Sequence, residues 1–236
     1  MSRFDTTHWS IVARARGDSR DARAALESLC RAYRPPVLAY IRGRGYAPDV
    51  AEDLAQTFFE RFVEDAYQTV ADPERGRFRA FLLTALKRFL INADAEAHAI
   101  KRGGAVRMAV LTDDQPSVTD WMVDSASPER AFERDWALAV LDTAMRRLRG
   151  EAEEAGKTQM FDFLHEFLTE RPDEKDYARA AEALNLRRNT LAVAVHRLRH
   201  RLRELVREEI AQTTVGRAEL EAELRELRAT LAKVLE

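Results

Sequence analysis

Asp176 to Arg203 reads DYARAAEALNLRRNTLAVAVHRLRHRLR, and its apolar rhythm is interrupted once. Tyr177, Ala180, Ala181 and Leu184 recur at helical spacing, Asn185 can take the left-handed conformation that ends a helix, and Leu186 is expected to re-enter the core. Thr190, Leu191, Ala194, Val195 and Leu198 resume the apolar face on a second, longer helix. Arg187, Arg188, Arg197, Arg199, Arg201 and Arg203, with His196 and His200, occupy the other side, and no carboxylate intervenes until Glu204. A short helix, a turn and a long cationic helix predict a helix-turn-helix of the kind that reads duplex DNA. Solvated arginines lying along their own helix are the plain alternative.

Working outward, nearly every segment repeats its apolar residues at three and four and hardly any alternates at two, so the predicted fold class is all-α. A helix begins near Asp21 and runs through Leu26 and Leu29 to Tyr33, where Pro35 and Pro36 break or kink it; a second stretch through Leu38 and Ile41 ends at Gly43 and Gly45. Pro48 and Asp49 open an acidic amphipathic helix with Val50, Leu54, Phe58 and Phe62 as its core stripe. After DPERGR (72–77), Phe78, Phe81, Leu82, Ala85, Leu86 and Phe89 mark a helix that reaches Lys101 and Arg102 before Gly103 and Gly104. Residues 105–126 lose periodicity and read as a linker. Ser127 and Pro128 start another helix with Phe132, Trp136, Leu138, Val140, Leu141, Met145 and Leu148 inward. One further helix is expected through Met160, Phe161, Phe163, Leu164 and Phe167. In the tail, Leu220, Leu224, Leu227, Leu231 and Val234 make too few heptads for an isolated coiled coil, so this helix is expected to pack on the chain itself.

Composition narrows the function. The chain has 236 residues, 46% hydrophobic and 33% charged, which suits a soluble globular protein of two small domains. Its formal net charge of −2 supplies no global field for nucleic acid, so binding must come from local clusters. Cys30 is the single cysteine, which excludes an internal disulfide and a thiolate metal cluster and reads as a small core residue. The opening MSRFDTTHWS has no signal core, and no window is apolar enough for a membrane span, so the expected location is the cytoplasm. His8, His98 and His165 lack a second ligand at metal spacing, and neither a phosphate loop nor an activated nucleophile is present, so neither an enzyme nor a cofactor is expected.

The order of these features resembles an extracytoplasmic-function sigma factor, a dissociable subunit of bacterial RNA polymerase. The resemblance runs from about Ala24 to Arg207 and rests on DVAEDLAQTFFERF (49–62), FRAFLLTALKRFLIN (78–92) and the helix-turn-helix. TTHWS (6–10), KRGG (101–104) and EEIAQT (208–213) resemble a subgroup with its own C-terminal extension. The resemblance implies a region 2 domain over 1–104, a linker over 105–126, a region 4 domain over 127–208 and an extension over 209–236. It implies core polymerase, through its clamp and flap, and promoter DNA as partners, with no membrane; nothing in the residues specifies an anti-sigma factor. Glu52, Asp53, Gln56 and Phe59 would meet the clamp. Lys87, Arg88, Asn92, Lys101 and Arg102 would serve the −10 element, where a base is captured from the opened strand.

At the −35 element the resemblance places Arg188, Asn189 and Thr190 at the start of the reading helix, and Ala192, Val193, His196 and Arg197 on its base-contacting face. Arg187, Arg199 and His200 would sit nearer phosphates, so that Arg199→Ala weakens all sequences alike. The chain departs from the family in carrying Phe81, Arg88 and Asn92 where tryptophan, asparagine and aspartate are common, and ADAEAHA (93–99) lacks the usual arginines. Thr57 stands where the family has a glutamate. A phosphate there would restore negative charge, which makes Thr57 a candidate phosphorylation switch for a Ser/Thr kinase. The rival class is a stand-alone helix-turn-helix regulator, which would dimerise on a palindrome.

Overall fold

In the computed structural model, residues 20–68, 77–101, 127–170, 172–214 and 216–234 are described. They form α1 (Arg20–Gly43), α2 (Pro48–Gln68), α3 (Phe78–Lys101), α4 (Pro128–Glu154), α5 (Thr158–Leu164), α6 (Glu166–Thr169), α7 (Glu174–Leu184), α8 (Arg188–Ala211) and α9 (Arg217–Val234). The fold is all-α. The expected linker at 105–126 and the opening TTHWS lie outside the described residues. The chain divides into two units, one within Ile11–Asp135 and one comprising Trp136–Glu236.

In the first unit, α1 runs unbroken through Pro35 and Pro36, so the break allowed for at these residues does not occur. Those prolines remove the amide donors that would meet the carbonyls of Arg31 and Ala32. Both residues are exposed, so water can take the freed acceptors. Pro36 is itself buried, followed by Val37, Leu38, Tyr40 and Ile41 in the core.

The inward stripe of α2 also differs from the expected one. Ala51, Ala55, Phe58 and Phe62 are buried while Val50 is 42% exposed. Steps of four overshoot a helical turn by about 40° each, so a row drawn from Phe62 back to Val50 rotates out of the core. The two alanines let α2 lie close to α1, and the rings of Phe58 and Phe62 reach α3, with centroids 5.6 Å from Phe89 and 6.2 Å from Phe78. From α3 the core takes Phe78, Leu82, Leu86 and Leu90. Tyr46 donates its hydroxyl to Asp94 at 2.5 Å, which ties the α1–α2 turn to the far half of α3. The first turns of α4 belong to this unit as well: Phe132 is fully buried, Glu129 meets Lys87 at 2.7 Å and Glu133 pairs with Arg79.

The second unit is built around α8. Ala144, Leu148 and Ala152 of α4 pack with Phe161, Leu202 and Leu205, and Leu164, Phe167, Ala180, Leu191 and Val195 form an adjoining cluster. Leu138 is 41% exposed and does not join the inward row expected for it. The single helix expected through Met160 and Phe167 is two short ones, α5 and α6, separated at His165. That division turns Leu164 and Phe167 into the core and leaves Phe163 outside it. The tail helix α9 lies against α8, burying Leu220, Leu224 and Leu227, and Arg207 reaches Glu221 at 2.7 Å.

Candidate nucleic-acid interface

The pair α7 and α8 owes its geometry to local chemistry at both ends of α7. Asp173 accepts from the backbone NH groups of Lys175 and Asp176 at 2.7 and 2.8 Å, while its own NH donates to the Asp176 carboxylate at 2.9 Å. This reciprocal box satisfies the free donors of the first turn. At the other end Asn185 adopts φ 50° and ψ 44°. The NH of Leu186 then donates to Ala181 O at 3.0 Å and the NH of Asn185 to Glu182 O at 3.2 Å. Only glycine and short polar residues enter that conformation readily, and asparagine is one of them. α8 follows at Arg188, with Arg187 extended before it.

Leu186 does not return to the core. It is 36% exposed and lies beside Val193, which is 50% exposed. The turn closes on backbone hydrogen bonds, and Leu191 and Val195 anchor α8 instead. Thr190 is likewise exposed.

Arg187 and the arginines of α8 separate into two sets. Arg187, Arg197 and Arg203 are exposed and make no ion pair among the described residues; with exposed Asn189, Thr190, Ala192, Val193, His196 and His200 they form a cationic to neutral face. Arg188 is also exposed and meets Glu174 at 3.0 Å. The second set is turned to structure. Arg199 donates through Nε and Nη2 to Phe167 O at 2.9 and 2.5 Å, and through Nη2 to Glu170 O at 2.9 Å. Expected near phosphates, it binds the carbonyls at the end of α6. Its position explains this: Arg199 falls four residues after Val195 and three before Leu202, on the border of the apolar stripe. Arg201 holds Glu151 through two bonds of 2.6 and 2.9 Å and also meets Glu204 at 3.0 Å. Hydrogen bonding from Arg201 holds the Glu151 carboxyl below the usual carboxylate range.

The first unit carries the other candidates. Glu52 sits between Arg34 at 2.7 Å and Arg42 at 3.0 Å, so its charge is shared with α1. Asp53 is exposed, Gln56 donates to Glu60 at 3.0 Å and Phe59 is half-buried against Phe58 at 5.3 Å. The Thr57 hydroxyl donates to Asp53 O at 2.9 Å, a bond back along its own helix. On α3, Arg88 and Asn92 are exposed one turn apart, with Ile91, 49% exposed, beside them. Lys87 is engaged by Glu129. Ile91 had no signal in the sequence, since any single apolar residue at a stripe's edge looks the same. Lys101 ends α3, and Arg102 lies outside the described residues.

The described residues contain no helix long and apolar enough to cross a membrane and no group of three or more His, Cys, Asp or Glu that could hold a metal ion. What they present is an all-helical chain with an aromatic-cored helical bundle in one unit and a capped helix pair with a cationic face in the other. Residues 29–95, which span most of α1, α2 and most of α3, match the family model described as Sigma-70 region 2. That match supports a sigma-70 family member and, at the level of the family, a part in promoter-directed transcription with core RNA polymerase and promoter DNA. No curated protein and no solved structure matches the chain.

Proposed function

We propose that the chain is an extracytoplasmic-function type sigma factor with a C-terminal helical extension, acting in the cytoplasm without enzymatic activity. The region 2 match on the first unit carries this reading. The capped pair α7 and α8 supports a region 4 reader in the second, because Arg187 at the helix start and Arg197 and Arg203 on the helix, with no carboxylate bound among the described residues, suit duplex DNA. In this reading Glu52, Asp53, Gln56 and Phe59 dock on the polymerase clamp, and the second unit meets the flap. Arg88 and Asn92 face the −10 strand, and Ala192, Val193, His196 and Arg197 face −35 base edges. Ala192 and Val193 supply contacts to thymine methyls, while Arg197 reads hydrogen-bond acceptors. The direct test is run-off transcription with purified bacterial core polymerase on a random promoter pool. Selection of a common two-element promoter supports the reading. Failure to join core enzyme in any modification state, with tight binding to a palindrome by the chain alone, replaces it with a stand-alone regulator.

For the reading face, Arg197→Ala should weaken binding to the selected −35 duplex by about 1 to 3 kcal/mol and relax specificity at one position. Anisotropy titrations on matched and scrambled duplexes measure this, and equal losses on both would move Arg197 to the phosphate backbone.

Thr57 supports a proposal about control. Its hydroxyl, in an exposed hydrogen bond to Asp53 O, lies on the helix assigned to the clamp, one turn from Glu60. A phosphate would add about −1.5 to −2 charge on that face. Thr57→Glu is expected to bind polymerase more tightly than the wild type, and Thr57→Ala to match the unmodified chain. Equal affinity for all three in a pull-down with core enzyme removes the kinase from the account.

A further inference from the structure

A groove of about 670 Å³ runs between the end of α4, the start of α5 and the outer flank of α8, wholly within the second unit. Ala152, Met160, Phe161 and Leu198 line its apolar floor, and the exposed side chains of Leu186 and Val193 form one wall. Its volume falls among those of sites for small organic molecules, about 300 to 1,000 Å³. Among its lining residues the charge left unpaired is positive. Arg201 is held by Glu151 through two hydrogen bonds and by Glu204 and Glu208, which lie outside the lining, at 3.0 and 3.5 Å. Lys157 and Arg197, the remaining charged lining residues, are exposed and make no ion pair among the described residues.

An apolar trough with two uncompensated cations at its rim is complementary to one kind of occupant. We propose that this groove binds an amphipathic organic monoanion, a carboxylate with an apolar body of about ten carbons, its tail along Met160, Phe161 and Val193 and its head between Lys157 and Arg197. Leu186 and Val193 then lose water-exposed surface that the fold leaves uncovered. Thr190, Val193 and Arg197 also lie in the groove wall. The bound acid therefore competes with −35 DNA for the same side chains, a coupling that rests on the reading of α8 as the DNA-contacting helix.

Calorimetric titration of the full chain with sodium decanoate tests the site without DNA. Saturable one-to-one binding is expected, weakened about tenfold by Lys157→Glu, because reversing a rim charge acts across a short distance at a partly solvated surface. Leu186→Asp should weaken it to a similar degree, and decyltrimethylammonium should bind much less well than decanoate. Non-saturating uptake, equal affinity in the wild type and Lys157→Glu, or equal binding of the cationic probe overturns the proposal. Lys157 is exposed, so its variant keeps the test informative even where Leu186→Asp does not fold. A second titration measures a selected −35 duplex with and without saturating decanoate. Weaker DNA binding in its presence supports the competition and unchanged binding overturns it. Absence of any duplex binding in the decanoate-free arm points instead to a failure of the DNA reading, while the first titration still decides the site.

Discussion

Replacing Arg199 with alanine should lower the stability of the Trp136–Glu236 unit by about 2 to 3 kcal/mol. The guanidinium makes three hydrogen bonds to two main-chain carbonyls, Phe167 O and Glu170 O. A charged donor to a carbonyl contributes about 1.5 to 3 kcal/mol, and its removal leaves both acceptors to be satisfied by whatever water can reach them. Arg199→Lys should recover only part of the loss, since one ammonium cannot match a planar fork directed at two oxygens. Denaturant unfolding followed by far-ultraviolet circular dichroism measures the change. DNA affinity should fall in proportion to the unfolded fraction, with no separate dependence on sequence. A variant of wild-type stability that has lost DNA binding would return Arg199 to the phosphates.

The second large effect is expected in the tail. Leu220 and Leu224 are buried on α9 with Leu227, so Leu220→Ala or Leu224→Ala should each cost about 2 to 5 kcal/mol. Removing the chain after Thr214 should cost more, because it strips α8 of a packed neighbour and of the Arg207–Glu221 pair. Transcription by a truncated chain would therefore fall through unfolding, whether or not the tail restrains activity. Exposed positions separate the two effects. Arg225→Glu and Arg228→Glu leave the buried leucines in place. Their unfolding midpoints should stay close to wild type, and a rise in run-off product from them would reveal restraint by the outer face of α9. A midpoint unaffected by Leu224→Ala would mean that α9 is not part of the folded unit in solution.

The residues that announced themselves in the sequence did so through local rules. Asn185 could be placed at the end of α7 because few residue types tolerate its backbone conformation, and α8 begins at Arg188, where the resemblance set the start of the second helix. The misplaced residues depend on neighbours distant in the chain. Val50 satisfies an i+4 row as well as Phe58 does, and only the approach of α1 to Ala51 and Ala55 decides which row is covered. Leu186 is apolar, yet nothing in the sequence shows that the turn closes through its backbone NH with its side chain left outside the core. Arg199 and Arg197 look alike in a list of cations, but one meets the carbonyls of Phe167 and Glu170, about thirty positions earlier, and the other meets solvent. A count of charges along α8 therefore exceeds the cations it leaves exposed without an ion pair among the described residues, Arg197 and Arg203, which Arg187 joins from just before the helix.

The two prolines within α1 carry a last consequence, for the rate at which its backbone trades protons with solvent. Pro35 and Pro36 have no amide hydrogen, so a deuterium-labelling profile of this helix is silent at both positions. The amides of Val37 to Ile41, which lie over buried side chains, should be retained longest. The turn that ends at Arg34 lies under the two carbonyls that the prolines leave without an amide partner and should fill with deuterium earlier. One continuous rod would then appear to exchange as two, although no residue in it departs from the helix.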